Sequence, residues 1–439
     1  MELLVSGIGQ LVTPEGGSPL HGPNQGRLRV LRDAYVLIRE GRIADVGTGS
    51  TPRFSGPSLD AEGRVVTPGL VDPHTHAVFA GSRVQEFLAR ARGERYTGGG
   101  ILTTVRAVRE ATEEELVALA RPRLLRMLGW GVTTVEVKSG YGLSIEDEVK
   151  LLRVVRQISA ELPLTIVPTF MGAHAFPPEI SREAYLRLLR EELIPAVAED
   201  SLARFCDVFC DRGFYTVEEA RAILHAARGA GLKLKIHADE LADVGAASLA
   251  AELRAVSAEH LLHVSPAGIR ALATAGVVAI LLPATAFVLN EPYPPARGLI
   301  QAGVPVALGT DFNPGSSPVA SLPLVLSLAV LKLGMSPEEV LVAATLNAAA
   351  AIGLADAVGS LEPGKRGDLV VWDARSYEEI PYWIGQNLVW AVIRGGEAVV
   401  RPHPLPAPPA PVCVPRTGRR QAADPLPPRA EEDEANFPS

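Results

Sequence analysis

The chain has 439 residues, of which 47% are apolar and 5% aromatic, and its formal net charge is −8. That length accommodates one large α/β barrel with an appendage, and the apolar share supplies a large core. The acidic balance with dispersed basic residues argues against nucleic-acid binding, and no window approaches ~20 uninterrupted apolar residues, which argues against a membrane span.

Residues 1–66 hold short β-like runs broken by turns, such as Ala34 to Ile38 and Arg42 to Val46. Met1 to Gly7 shows neither a basic stretch nor a long apolar run, so no signal peptide is expected. From 67 to 355 short apolar runs alternate with longer helical patterns. The expected strands are Gly69 to Asp72, Thr133 to Lys138, Leu164 to Thr169, Arg204 to Phe209, Leu232 to Ile236, Ala255 to Ser257, Val277 to Leu282 and Pro305 to Leu308. Helical segments are expected over Glu146 to Leu162, Arg182 to Ala198 and Thr216 to Ala230. Eight strands alternating with helices predict a (β/α)8 TIM-like barrel. From 356 to 401 β character returns, and these strands could pair with the first ones as a small β-sandwich domain built from both chain ends. Residues 402–439 are Pro-rich, then charged, and are expected to be disordered. Cys206, Cys210 and Cys413 are too few for a disulfide framework. They fit a reducing cytoplasm, with Cys206 and Cys210 expected as buried strand residues.

The strongest local chemical signal is Asp72, His74 and His76 at the end of the first barrel strand. Residues two apart on a strand share a face, so both imidazoles can reach one metal. His237 and Glu240 follow the fifth strand, His260 the sixth, and Asp311 and Asn313 the eighth. The C-terminal ends of barrel strands converge on one face, where active sites are built. Singly, each has an ordinary reading: a satisfied core histidine, a helix cap, a surface histidine pair. Jointly, His74, His76, His237 and Asp311 are a nitrogen-and-oxygen set suited to Zn2+ or Fe2+.

The stretch Pro68 to His76 resembles the first-strand motif of the amidohydrolase superfamily. More narrowly, Phe79 to Arg83, Glu136 to Leu143, Gly172 to Glu179, Lys235 to Glu240 and Thr310 to Ser317 are similar to the imidazolonepropionase family. That resemblance implies hydrolysis of the ring amide of 4-imidazolone-5-propanoate to N-formimidoyl-L-glutamate. It implies one Zn2+ or Fe2+/Fe3+ held by His74, His76, His237 and Asp311. Substrate would meet Arg83, Tyr141, His174 and Glu240, with Asn313, Gly315 and Ser316 on the product side. His260 would touch the water that the metal activates. Glu240, His260 and Asp311 are the catalytic candidates, and their shares of proton transfer stay open. A homodimer is also expected from the resemblance.

Lys138 is expected to be unmodified, paired with a carboxylate such as Glu136 or shaping the pocket. The loop around Tyr96 is shorter than the family pattern, and His263 stands where another residue type is expected. Two other readings are a deaminase or different cyclic amidohydrolase, and an inactive barrel serving as a scaffold. The complete ligand set counts against the scaffold, and few aromatics are available for a nucleobase pocket.

Overall fold

The computed structural model describes residues 1–93 and 99–401. The loop around Tyr96 and the 402–439 tail, with Cys413, therefore lie outside the described residues.

Eight parallel strands form the barrel sheet. In order they are Leu70–Asp72, Val132–Lys138, Thr165–Ala173, Phe205–Cys210, Lys233–Ala238, Ser257–His260, Val278–Leu281 and Val306–Leu308. All eight expected strands are present. The sixth starts two residues later than expected and ends three later, at His260, after a left-handed turn at Arg254 (φ 45°). The second and fourth are buried at every position. That is the pattern of parallel strands covered on both faces. Ile145–Glu161 and Val217–Gly229 are the expected helices. The third, from Arg182 to Glu199, contains a π-turn over Leu189–Leu193.

The barrel closes at its C-terminal rim. The first and eighth strands are not paired along their length, but a parallel bridge joins Thr75 to Phe312 beyond both. His76 N donates to Phe312 O and Asp311 N to His74 O, at 2.9 and 3.0 Å. Asp72 seals the same seam: its carboxylate accepts Thr310 N at 3.1 Å and Thr310 Oγ1 at 2.6 Å. The two histidines and Asp311 thus sit on the closure itself.

The strands from both chain ends form a separate eight-stranded sheet. Within it Val65–Pro68 lies between Leu369–Trp372 and Leu3–Pro14. This sheet has its own apolar core, including Val5, Ile8, Val36, Ile38, Val371 and Ile393. Cys206 and Cys210 are buried, free strand cysteines as expected.

Candidate metal centre and active site

His74, His76, His237, His260 and Asp311 meet at the rim, each no more than 3% exposed. The His74 ring centroid is 4.6 Å from that of His237, 5.4 Å from His260 and 5.5 Å from His76. Asp311 Oδ1 lies 3.3 Å from His74 Nε2 and 3.7 Å from His76 Nε2. Its other oxygen accepts the Thr285 hydroxyl at 2.7 Å. Asp311 (φ 52°) and His260 (φ 71°) both adopt left-handed backbone, a strained state that recurs at functional sites.

The donor set fits a cation. His74, His76 and Asp311 present atoms within 4.8 Å of one another, and so do His74, His237 and His260. His237 Nε2 and His76 Nδ1 are buried with no hydrogen-bond partner. Such orphaned nitrogens are costly unless something accepts their lone pairs. Imidazoles and a carboxylate are the ligands that borderline divalent metals prefer.

Beside them, Arg83, Tyr141, His174, Glu240, Asn313 and Ser316 line one cavity with His76, His237, His260 and Asp311. His263 does not line it. Arg83 starts the helix Val84–Ala91 and is 4% exposed. Its guanidinium is held by Glu86, with Nε–Oε1 at 3.0 Å and Nη2–Oε2 at 2.7 Å. It lies flat on Gly315, where a Cβ would stand 2.1 Å from Arg83 Nη1. His174 Nδ1 is 3.0 Å from Gly140 O, and its ring stacks on His76 at 5.1 Å. Burial, then the His237 charge, push the His174 pKa down to about 3, so the ring is neutral. The Tyr141 ring lies 5.2 Å from His174.

Asn313 is committed to its own loop. Its Oδ1 accepts the Gly315 and Ser316 N–H groups, each at 2.8 Å. Its Nδ2 donates to Asp311 O and Ser316 Oγ. It builds the rim turn that carries Asp311. Glu240 N donates to Asp211 Oδ2 at 2.7 Å, and Glu240 Oε2 lies 3.6 Å from His260 Nε2. Burial, followed by the nearby Asp311 charge, pushes the Glu240 carboxyl well above its ordinary range. His260 is held well below its ordinary value by burial.

Four side chains below the rim had no assigned role in the sequence reading: Asp207, Lys235, Glu259 and Thr285. Lys138 Nζ contacts Glu136 at 2.8 Å, as expected, and also Asp207 at 2.8 Å and Glu259 at 3.0 Å. Its three donors face three carboxylates, which suits an unmodified ammonium. Burial would lift Asp207 and Glu259. The His237 and Lys138 charges outweigh this at Asp207, and Lys138, Lys235 and His74 at Glu259, holding both below the usual range. For Asp207, Lys235 and Glu259 the available signal is charge at inward positions of otherwise apolar strands, whereas Thr285, uncharged in the helix Pro283–Leu289, carries none.

An eight-stranded parallel barrel with a histidine-and-aspartate cluster at its C-terminal rim defines a barrel enzyme with a candidate metal centre where such folds carry their active sites. The amidohydrolase family model matches residues 65–399, and the chain belongs to that family. An imidazolonepropionase of Symbiobacterium thermophilum is 49% identical, covering 91% of this chain and 97% of its own. One from Geobacillus kaustophilus is also 49% identical, covering 91% and 98%. Among solved structures, a zinc-bound adenosine deaminase from Xanthomonas campestris superposes with a TM-score of 0.70. It is 21% identical over 91% of this chain and 93% of its own. Atrazine chlorohydrolase from Arthrobacter aurescens, complexed with zinc, also gives 0.70, with 19% identity over 92% and 97%. At such identities these two speak for the fold alone.

Proposed function

We propose that this chain carries out the imidazolonepropionase reaction, hydrolysing the ring amide of 4-imidazolone-5-propanoate to N-formimidoyl-L-glutamate. The observation that carries this reading is the juxtaposition at one rim of the His74, His76, His237 and Asp311 donors with buried Arg83. One divalent ion, Zn2+ or Fe2+, would be held by those four donors. When bound, such an ion polarises a carbonyl and brings the pKa of water toward ~7.

The chain's own residues do the rest. Arg83 offers a planar fork to the propanoate carboxylate and so fixes the ring relative to the rim. Tyr141 and His174 line the cavity beside it. Asp311, held ionised at the rim, and the neutral His260 ring are the two groups able to take a proton from the attacking water. Glu240, whose carboxyl burial and the Asp311 charge push well above its ordinary range, is the group able to give one to the ring nitrogen as the carbon–nitrogen bond breaks. A cytoplasmic location and a homodimer belong to the same proposal, resting on thiol usage and family resemblance. Among the described residues, no helix is long and apolar enough to cross a membrane.

The test is carboxylate dependence. Arg83→Gln is expected to raise KM roughly 10- to 100-fold, the value of one charged hydrogen-bonded contact, while bound metal stays unchanged. Gly315→Ala, whose methyl would displace the Arg83 guanidinium, should move KM in the same direction by less. Steady-state kinetics with metal analysis reads both. An unchanged KM in Arg83→Gln would show that another group holds the carboxylate.

A further inference from the structure

A layer of charge lies directly behind the ligand histidines, and the reaction chemistry above does not use it. His237 Nδ1 is 3.0 Å from Asp207 Oδ2, and His74 Nδ1 is 2.5 Å from Glu259 Oε2. The opposite nitrogen of His74 faces Asp311 Oδ1 at 3.3 Å, and the His237 ring borders the cavity at the rim. Each ring thus turns Nδ1 to a carboxylate and keeps Nε2 for the rim. Asp207 also accepts the His237 backbone N–H at 3.1 Å, so it fixes both ends of that residue.

The carboxylates are themselves pinned. Lys138 Nζ reaches both, at 2.8 and 3.0 Å, and Lys235 Nζ reaches Glu259 Oε1 at 2.8 Å. Lys235 also donates to Pro73 O at 2.9 Å, the residue before His74. All of these side chains are fully buried.

We propose that Asp207 and Glu259 are positioning residues of the metal centre, and that Lys138 and Lys235 form the clamp that fixes them. A carboxylate at Nδ1 sets the imidazole tautomer and orientation and makes Nε2 the more basic ligand. The clamp also limits the site to one ion. Asp207, His237 and Glu259 lie close enough together to hold a second. Lys138 Nζ stands within 3.0 Å of both carboxylates and takes that position.

The proposal rests on the reading of His74 and His237 as ligands. The experiment strips the full chain with a chelator and titrates Zn2+ back against a competing indicator. The variants are Asp207→Asn, Glu259→Gln, His237→Ala and, as a control, Glu148→Gln. Glu148 is an equally buried carboxylate that instead accepts backbone N–H groups of Gly140, Gly142 and Leu143. Asp207→Asn and Glu259→Gln are each expected to weaken Zn2+ binding roughly 10- to 100-fold. Glu148→Gln should lower thermal stability without changing Zn2+ affinity. If one of the first two fails to fold, the other decides. Wild-type Zn2+ affinity in a folded Asp207→Asn or Glu259→Gln chain overturns the positioning role. Wild-type affinity in His237→Ala overturns the ligand reading instead, so the two failures are distinct.

Discussion

Replacing His237 by Ala is expected to empty the centre: bound metal should fall from about one ion per chain to a small fraction, and turnover to background. His237 is the hub of the cluster. Its ring lies 4.6 Å from His74, 5.1 Å from His260 and 5.6 Å from His76. Asp207 and Glu259 back its ring on one side and Phe209 lies 5.7 Å from it, so removing it takes away a ligand that the fold positions. The fold should survive, because the strand Lys233–Ala238 keeps its pairing with both neighbours. Elemental analysis of the purified variant, beside its circular dichroism, reads the result. Full metal occupancy in a folded His237→Ala chain would contradict the ligand assignment.

Lys138→Met should produce the largest loss of stability. The side chain is fully buried and its ammonium is shared by Glu136, Asp207 and Glu259. Removing it leaves Glu136 and Glu259 with Lys235, and Asp207 with His237 alone. Breaking a buried ion pair from one side typically costs about 3–5 kcal/mol, because the remaining charge is stranded rather than solvated. Methionine matches the length of the lysine stem, so the loss reports charge more than volume. A lower urea midpoint with an unchanged slope is the expected reading. A change under about 1 kcal/mol would show that the carboxylates shed their charge by taking up protons.

Much of this architecture is written in periodicity. Strands such as Val132–Lys138 are short apolar runs between amphipathic helices, and that alternation is a property of local sequence. The histidine pair was legible for the same reason: His74 and His76 are two apart at a strand end. Asp207 and Glu259 were not legible as partners of histidine. Their neighbours Lys138 and Lys235 come from other strands, and only the barrel's register brings Lys235 opposite Asp207 and His237 opposite Glu259. A lone Asp within Phe205–Cys210 announces burial without naming its partner. Asn313 shows the reverse limit. The family resemblance places it on the product side, and it does line the cavity, but its sequence gives no sign that its amide also holds the turn that carries Asp311. The bridge between Thr75 and Phe312, which closes the barrel at the site, joins segments more than two hundred residues apart and leaves no local trace.

The most direct measurement follows loss of freshly prepared 4-imidazolone-5-propanoate and appearance of N-formimidoyl-L-glutamate. It is made with the protein as purified, after chelation, and after Zn2+ or Fe2+ is restored. The account predicts turnover that the chelator abolishes and one of the two ions returns. Absence of turnover from a chain that holds about one ion would contradict the proposed substrate while leaving the hydrolase fold and its metal centre in place.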